Sequence, residues 1–181
     1  MTTVPAEAAL PLPEELRPWI DGARLLSFDD EPSGTFTHVP EAATKVVVRV
    51  ERNGRRDALV VGPRTRASYR TGKRLAACVQ LRLAPGTARL LLGVPAVELV
   101  GRALPLGDLP AATARHLAGS LWEMEPEQIV AHLADVLPHR LTAGSRTERL
   151  LSTRPHTHHA LDDAIEQAEL LARLMAWPGP A

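Results

Sequence analysis

Thiol chemistry is nearly absent from this chain: its one cysteine, Cys78, excludes an intrachain disulfide framework. Net charge is absent too, since 21 Lys and Arg meet 21 Asp and Glu. Such a balance argues against nucleic-acid binding through a basic surface of its own. No apolar run reaches the length of a membrane span, and the N-terminus lacks the basic start and apolar run of a signal peptide. A soluble cytoplasmic protein with no membrane partner is the expectation. Lysine occurs only at Lys45 and Lys73; the preference for Arg, with abundant Ala, Leu and Pro, points to a GC-rich bacterial source. Aromatics are scarce, so Trp19, Phe28 and Tyr69 are expected in the core or walling a pocket. Ser68, Ser120 and Ser145 sit in no nucleophile-elbow motif.

The 181 residues suffice for a real core, in one domain with or without a helical appendage. The most structured reading falls on residues 60–95. There Ala77, Val79, Leu81 and Leu83 alternate with Cys78, Gln80 and Arg82, a period of two that gives a strand one apolar and one polar face. Ala84-Pro85-Gly86 stops the strand, and Pro85 suits the first position of a helix. Ala88, Leu91 and Leu92 follow at helical spacing, and Gly93 suits the left-handed residue that ends a helix.

Before this stretch, residues 1–13 read as a mobile arm and residues 14–20 as a turn around Leu16. Short strands are expected at 24–28 and 35–39, separated by an acidic loop. Val46, Val48 and Val50 alternate along a strand from 45 to 52, and Asn53-Gly54 reads as a two-residue hairpin turn into 58–61. Strands at 67–70 and up to Leu83 complete a small antiparallel β-barrel or sandwich, spanning residues 14–106 with an inserted helix. Residues 107–140 read as a helical hairpin. Its helices run over 108–122, capped by Asp108, and from Pro126 to Leu137, where Pro138 ends it. Residues 141–157 read as a linker, and Leu161, Ile165, Ala168, Ala172 and Met175 line a last helix over 158–177. The fold class is therefore α+β.

Several pieces in this order resemble the N-terminal domain of AraC/XylS-family transcription regulators of bacteria. They are Val60-Val61-Gly62-Pro63-x-Thr65, Val79-x-Leu81-x-Leu83-Ala84-Pro85-Gly86 and Leu91-Leu92-Gly93-Val94-Pro95, continued by Val100-Gly101-Arg102 and Leu104-Pro105-Leu106-x-Asp108-Leu109. Upstream, His38-Val39-Pro40-Glu41 stands where such domains end an extended segment in Pro-Asp-Gly, with Ala42 replacing the glycine. The resemblance implies a cupin-like β domain that senses a small-molecule effector or forms a homodimer. It implies DNA contact only through a C-terminal pair of helix-turn-helix units that this chain lacks. The helix over 158–177 resembles the connecting helix, and the abrupt ending at Ala181 is expected to be a cut. No cofactor and no enzymatic activity are implied. A cupin-type enzyme or metalloprotein, and a dimerisation module without ligand, are the alternatives.

The candidate ligand set is Arg49, Arg64, Arg66, Tyr69, Cys78, Gln80 and Arg82, on or beside adjacent strands. A guanidinium fork inside a barrel would suit a carboxylate or phosphate. The metal candidate is His156, His158 and His159, with Asp162 or Asp163 as additions. A strand with two histidines one residue apart, as metal-binding cupins have, does not occur in the barrel stretch.

Overall fold

The computed structural model describes residues 5–28, 35–71 and 75–151. Among the described residues there are eight strands: β1 (Ala6–Ala9), β2 (Ile20–Ser27), β3 (Thr35–His38), β4 (Lys45–Glu51), β5 (Arg56–Val61), β6 (Ser68–Thr71), β7 (Leu75–Leu83) and β8 (Ala103–Pro105). Helix α1 (Ala88–Leu92) follows β7, and α2 (Ala112–Leu121) and α3 (Ile129–Leu151) follow β8. Six strands form one antiparallel sheet in the order β1-β2-β7-β4-β5-β8, and β3 pairs with β6 as a separate ribbon. The fold is α+β as expected. The six-stranded sheet is not closed: β1 and β8 are its edges.

β7 lies between β2 and β4, and its alternation sorts the sheet into two faces. Register places Leu81 opposite Ala23 and Val46, and Val79 opposite Leu25 and Val48. This face joins Val60, α1 (Leu91, Leu92), Leu99, Leu106, α2 (Leu117, Leu121) and α3 (Ile129, Leu133, Leu137) in one buried cluster. The other face carries a smaller cluster of Phe28, Val47 and Cys78, with Leu26, Val61 and Leu75 against it. The helices therefore cover one face of the sheet.

The corner between sheet and helices differs in detail from the sequence expectation. Pro85 does not open a helix. Thr87 donates its N–H to the Ala84 carbonyl at 3.2 Å, and Gly86 has φ 79°. Proline second and a left-handed glycine third is the pattern of a type II turn. The Thr87 hydroxyl also donates to Ala84 O at 2.7 Å, and α1 starts at Ala88. At the far end Gly93 has φ 80° and returns its N–H to Arg89 O, the left-handed ending that the sequence foresaw.

Four further elements depart from expectation for identifiable reasons. Residues 6–9 are an edge strand and not a free arm; all four are exposed, so main-chain bonding to β2 leaves no apolar pattern to read. The Asn53-Gly54 turn is a three-residue loop. Gly54 N–H bonds Glu51 O, Glu51 N–H bonds Arg55 O, and only Gly54 has a positive φ, so a type I′ turn centred on Asn53 is excluded. Asp108 does not cap α2: it closes a 3-10 turn, and α2 begins after Ala111. Pro138 does not end α3, which runs on through part of the expected linker to Leu151. Proline costs a helix about 3 kcal/mol. Leu133, Leu137 and Leu141 stay buried on one stripe, and burying such side chains at about 1.5–3 kcal/mol each offsets that cost. The helix over 158–177 lies outside the described residues.

Glycine at position 62 is required by space. A Cβ there would sit 1.8 Å from the Leu99 carbonyl oxygen, where the β5 end passes under the turn before β8. Gly62→Ala should cost well over 1 kcal/mol, the usual scale of overpacking, because the obstacle is backbone. Gly119→Ala is the control: its Cβ meets nothing within 4 Å, so the helix gains up to about 1 kcal/mol. Chemical denaturation of both variants checks the pair. On β7, Leu81→Ala should cost about 2–5 kcal/mol through a cavity in the main cluster. Arg82→Ala should lose less than about 1 kcal/mol, since Arg82 is exposed and its ion pair with Asp21 is a surface one. Equal losses would mean that the two faces of β7 are misassigned.

Candidate functional site

The polar face of β7 and its neighbours gathers four of the seven residues singled out from the sequence. Register sets Cys78 opposite Leu26 and Arg49, Gln80 opposite Arg24 and Val47, and Arg82 opposite Lys45. Arg49, Cys78, Gln80 and Arg82 therefore share one face over two strands. Arg64 lies apart, in an isolated bridge where its N–H and carbonyl exchange bonds with Glu41 at 2.7 and 2.9 Å. Arg66 is exposed in the bend before β6. Tyr69 is placed on β6 opposite Thr37 by register, and its side chain lies outside the described residues. His156, His158 and His159 also lie outside them, and among the described residues no three His, Cys, Asp or Glu side chains could hold a metal.

Arg49 has its fork filled from within. Its Nε donates to Asp57 Oδ1 at 2.6 Å and its Nη2 to Asp57 Oδ2, a bidentate pair across the β4–β5 hairpin. That bond to Asp57 holds the guanidinium more firmly protonated than usual, against the cost of burial. A pair of this geometry needs no outside carboxylate to neutralise it. Asp57 escaped the sequence reading, because the two-residue turn expected at Asn53-Gly54 sets Ala58 opposite Arg49, whereas the three-residue loop shifts the pairing by one. Arg49 and Asp57 stand four residues on either side of Asn53, so the hairpin turn itself sets them face to face.

Cys78 is buried among Phe28, Val47, Leu26 and Leu75. Burial pushes its thiol up to about 11, against the pull of the Gln80 amide and the Arg49 charge in the other direction. At neutral pH it is therefore a packing group and not a nucleophile.

The sequence candidates omitted three neighbours on the same face. Lys45 pairs with Glu41 and donates to Gln80 Oε1 at 3.5 Å. Arg24 donates Nη1 to Glu7 at 2.9 Å and Nη2 to Gln80 Oε1 at 3.5 Å. Asp21 takes Arg82 Nε at 3.2 Å. Only the register across β2, β7 and β4 brings these together, and that is set by pairing between distant segments. In the helical layer, His132 Nε2 lies 3.0 Å from Ser120 Oγ and joins α2 to α3. Burial, then His116, holds that imidazole below the usual histidine range. The Ser120 hydroxyl also lies 3.4 Å from the Leu117 carbonyl of its own helix, which suits a tie between helices.

The Cys78 environment generates a pH dependence with a definite sign. The folded thiol titrates near 11 and the unfolded one near its ordinary 9.0, so folding favours the neutral form. Stability is unaffected below the unfolded value and falls as pH rises from there to about 11. Cys78→Ala should flatten that alkaline decline in denaturation curves. A thiol reagent at pH 8 should label wild type only as fast as it unfolds, and immediate labelling would contradict the burial.

No family model, no curated protein and no solved structure matches the chain.

Proposed function

We propose that this chain is the effector-sensing and dimerisation domain of an AraC/XylS-type transcription regulator, acting in the bacterial cytoplasm on DNA-binding units outside this sequence. One observation carries the reading. The motif pieces that resemble the family fall on a single continuous piece of architecture. Val60 to Pro63 ends β5 beneath Leu99, Val79 to Gly86 forms β7 and its type II turn, and Leu91 to Pro95 closes α1. A strand-to-helix corner with glycines at fixed places is demanding to build, and the resembling residues are the ones that build it. In this reading the β3–β6 ribbon and the sheet together form the cupin-like β domain.

The mechanism that follows is a shift of population. An effector on the polar face, or a partner on the helices, favours one arrangement of the domain pair over another, and by no more than its difference in affinity for the two. Trp122, at the C-terminal end of α2, is 54% exposed in a chain with few aromatics. Exposed Trp of this kind anchors protein interfaces. The reading therefore places a two-fold contact on the α2 end. A dimerisation module without ligand is favoured by a different observation, the side chains of Phe28, Val47 and Cys78 that already fill part of the polar face.

The test is assembly and DNA binding by residues 1–181. Light scattering should give a dimer at micromolar concentration, and Trp122→Ala should weaken it by about 2 kcal/mol or more, roughly thirtyfold. A monomer at high micromolar concentration would overturn the proposal. The chain alone should show no tight, salt-dependent binding to duplex DNA, because such binding needs several phosphate contacts.

A further inference from the structure

On the polar face of the sheet two cations, Arg24 and Lys45, meet at one amide, and a third, Arg82, stands beside them. Lys45 stands directly opposite Arg82 across β4 and β7, and Arg24 stands directly opposite Gln80 across β2 and β7. Gln80 and Arg82 are two residues apart on β7, so both point the same way. Like charges directly opposite one another in a sheet are destabilising. The fold nonetheless keeps Lys45 against Arg82, with Arg24 one row away.

The carboxylates that balance these cations reach them from three separate elements. Glu7 on β1 takes Arg24 Nη1, Glu41 before β4 takes Lys45, and Asp21 on β2 takes Arg82 Nε. Between Arg24 and Lys45 stands the neutral Gln80 oxygen, 3.5 Å from Arg24 Nη2 and 3.5 Å from Lys45 Nζ. Bonds of that length are weak. A charged oxygen in the same place would accept at about 2.8 Å and about twice the strength. Lys45 is the sheltered member, at 15% side-chain exposure, while Arg82 at 56% is open to solvent. The cluster therefore runs from a sheltered side at Lys45 to an open side at Arg82. Arg49, on the same face, does not take part because Asp57 fills its fork.

We propose that Arg24, Lys45, Gln80 and Arg82 form a binding site for a small oxyanion, the carboxylate or phosphate group of the effector. The assignment rests on the effector-sensing reading above and gives the chemical class of the ligand. The anion supplies a charged acceptor where Arg24 and Lys45 have only weak bonds to the Gln80 amide, so it stabilises the sheet as it binds.

Inorganic phosphate and malonate, titrated calorimetrically into residues 1–181 at low salt, test the site. The expected result is saturable binding with Kd of about 1 mM or tighter for at least one of them, with a matching rise in the thermal midpoint. Tighter phosphate marks a phosphorylated effector, and tighter malonate a carboxylic acid. Gln80→Glu places a fixed carboxylate between Arg24 and Lys45. It should raise the thermal midpoint of the free protein and weaken anion binding at least about tenfold, the effect of 1.4 kcal/mol. Arg82→Gln should weaken binding to a similar degree, and Arg89→Gln on α1 should leave it unchanged. No saturable binding up to about 20 mM, well above a millimolar Kd, overturns the site. So does phosphate and malonate binding by Gln80→Glu equal to wild type. Loss of the site in a protein that still dimerises overturns this assignment alone. Anion binding with an unaltered monomer–dimer equilibrium upholds the site and counts against the regulatory reading.

Discussion

β7 is hydrogen-bonded to β2 on one side and β4 on the other, so its side chains have only two directions in which to go. Val79, Leu81 and Leu83 take one direction and meet the helices, while Cys78, Gln80 and Arg82 take the other. A slip of one residue would exchange the two sets, driving a guanidinium into the helical core and leaving Leu81 among the cations. Register is therefore held from both neighbours by a large energetic difference. Everything else on the sheet inherits it. Val46 and Val48 follow Leu81 and Val79 into the core, and Lys45 and Arg49 follow Arg82 and Cys78 out of it.

The helical layer is fastened to this sheet by close backbone approach as much as by apolar contact. Gly62 lets the end of β5 pass directly beneath the Leu99 carbonyl, and its N–H bonds the Arg102 carbonyl at 3.0 Å. Gly93 ends α1 beside Pro110 and Ala111, and the Ala111 N–H bonds the Leu92 carbonyl at 3.3 Å. Arg56, from β5, adds a polar tie: its guanidinium bonds the Met124 carbonyl and the Glu125 carboxylate beyond α2. Space at the two glycines and charge at Arg56 fix the depth at which the helices sit, which Leu-on-Leu packing alone leaves adjustable.

What could be read from the sequence follows the distance over which each signal acts. The faces of β4 and β7, the left-handed Gly93 and the burial of Leu16, Leu81 and Leu91 depend on residues a few positions apart, and all were legible. β1 was not, because an exposed edge strand is held by its partner's backbone and has no side-chain pattern. Pro138 misled because its local cost is plain in the sequence, while the burial of Leu137 and Leu141 that outweighs it is tertiary. The polar face was half legible. Alternation marked Gln80 and Arg82, but Arg24 and Lys45 join them through pairing across more than thirty residues of sequence. Asp57 was not legible, because a two-residue turn at Asn53-Gly54 sets Ala58 opposite Arg49, and only the three-residue loop brings Asp57 there.

The two arginines opposite β7's polar residues show how differently one face treats the same side chain. Arg49 is half-buried and closed by a bidentate carboxylate from the adjoining strand, so its charge is spent on joining β4 to β5. Arg24 divides its fork between Glu7 and a neutral amide oxygen, which leaves the second contact weak. The difference comes from reach: Asp57 is on the same hairpin as Arg49, whereas no acid stands in the row that joins Arg24, Gln80 and Val47. That row crosses β7 beside Val79 and Leu81, whose side chains enter the helical core. Any change in the spacing of that row is felt by the backbone to which those core residues are attached. The polar face and the helical layer thus meet through β7, the strand common to both.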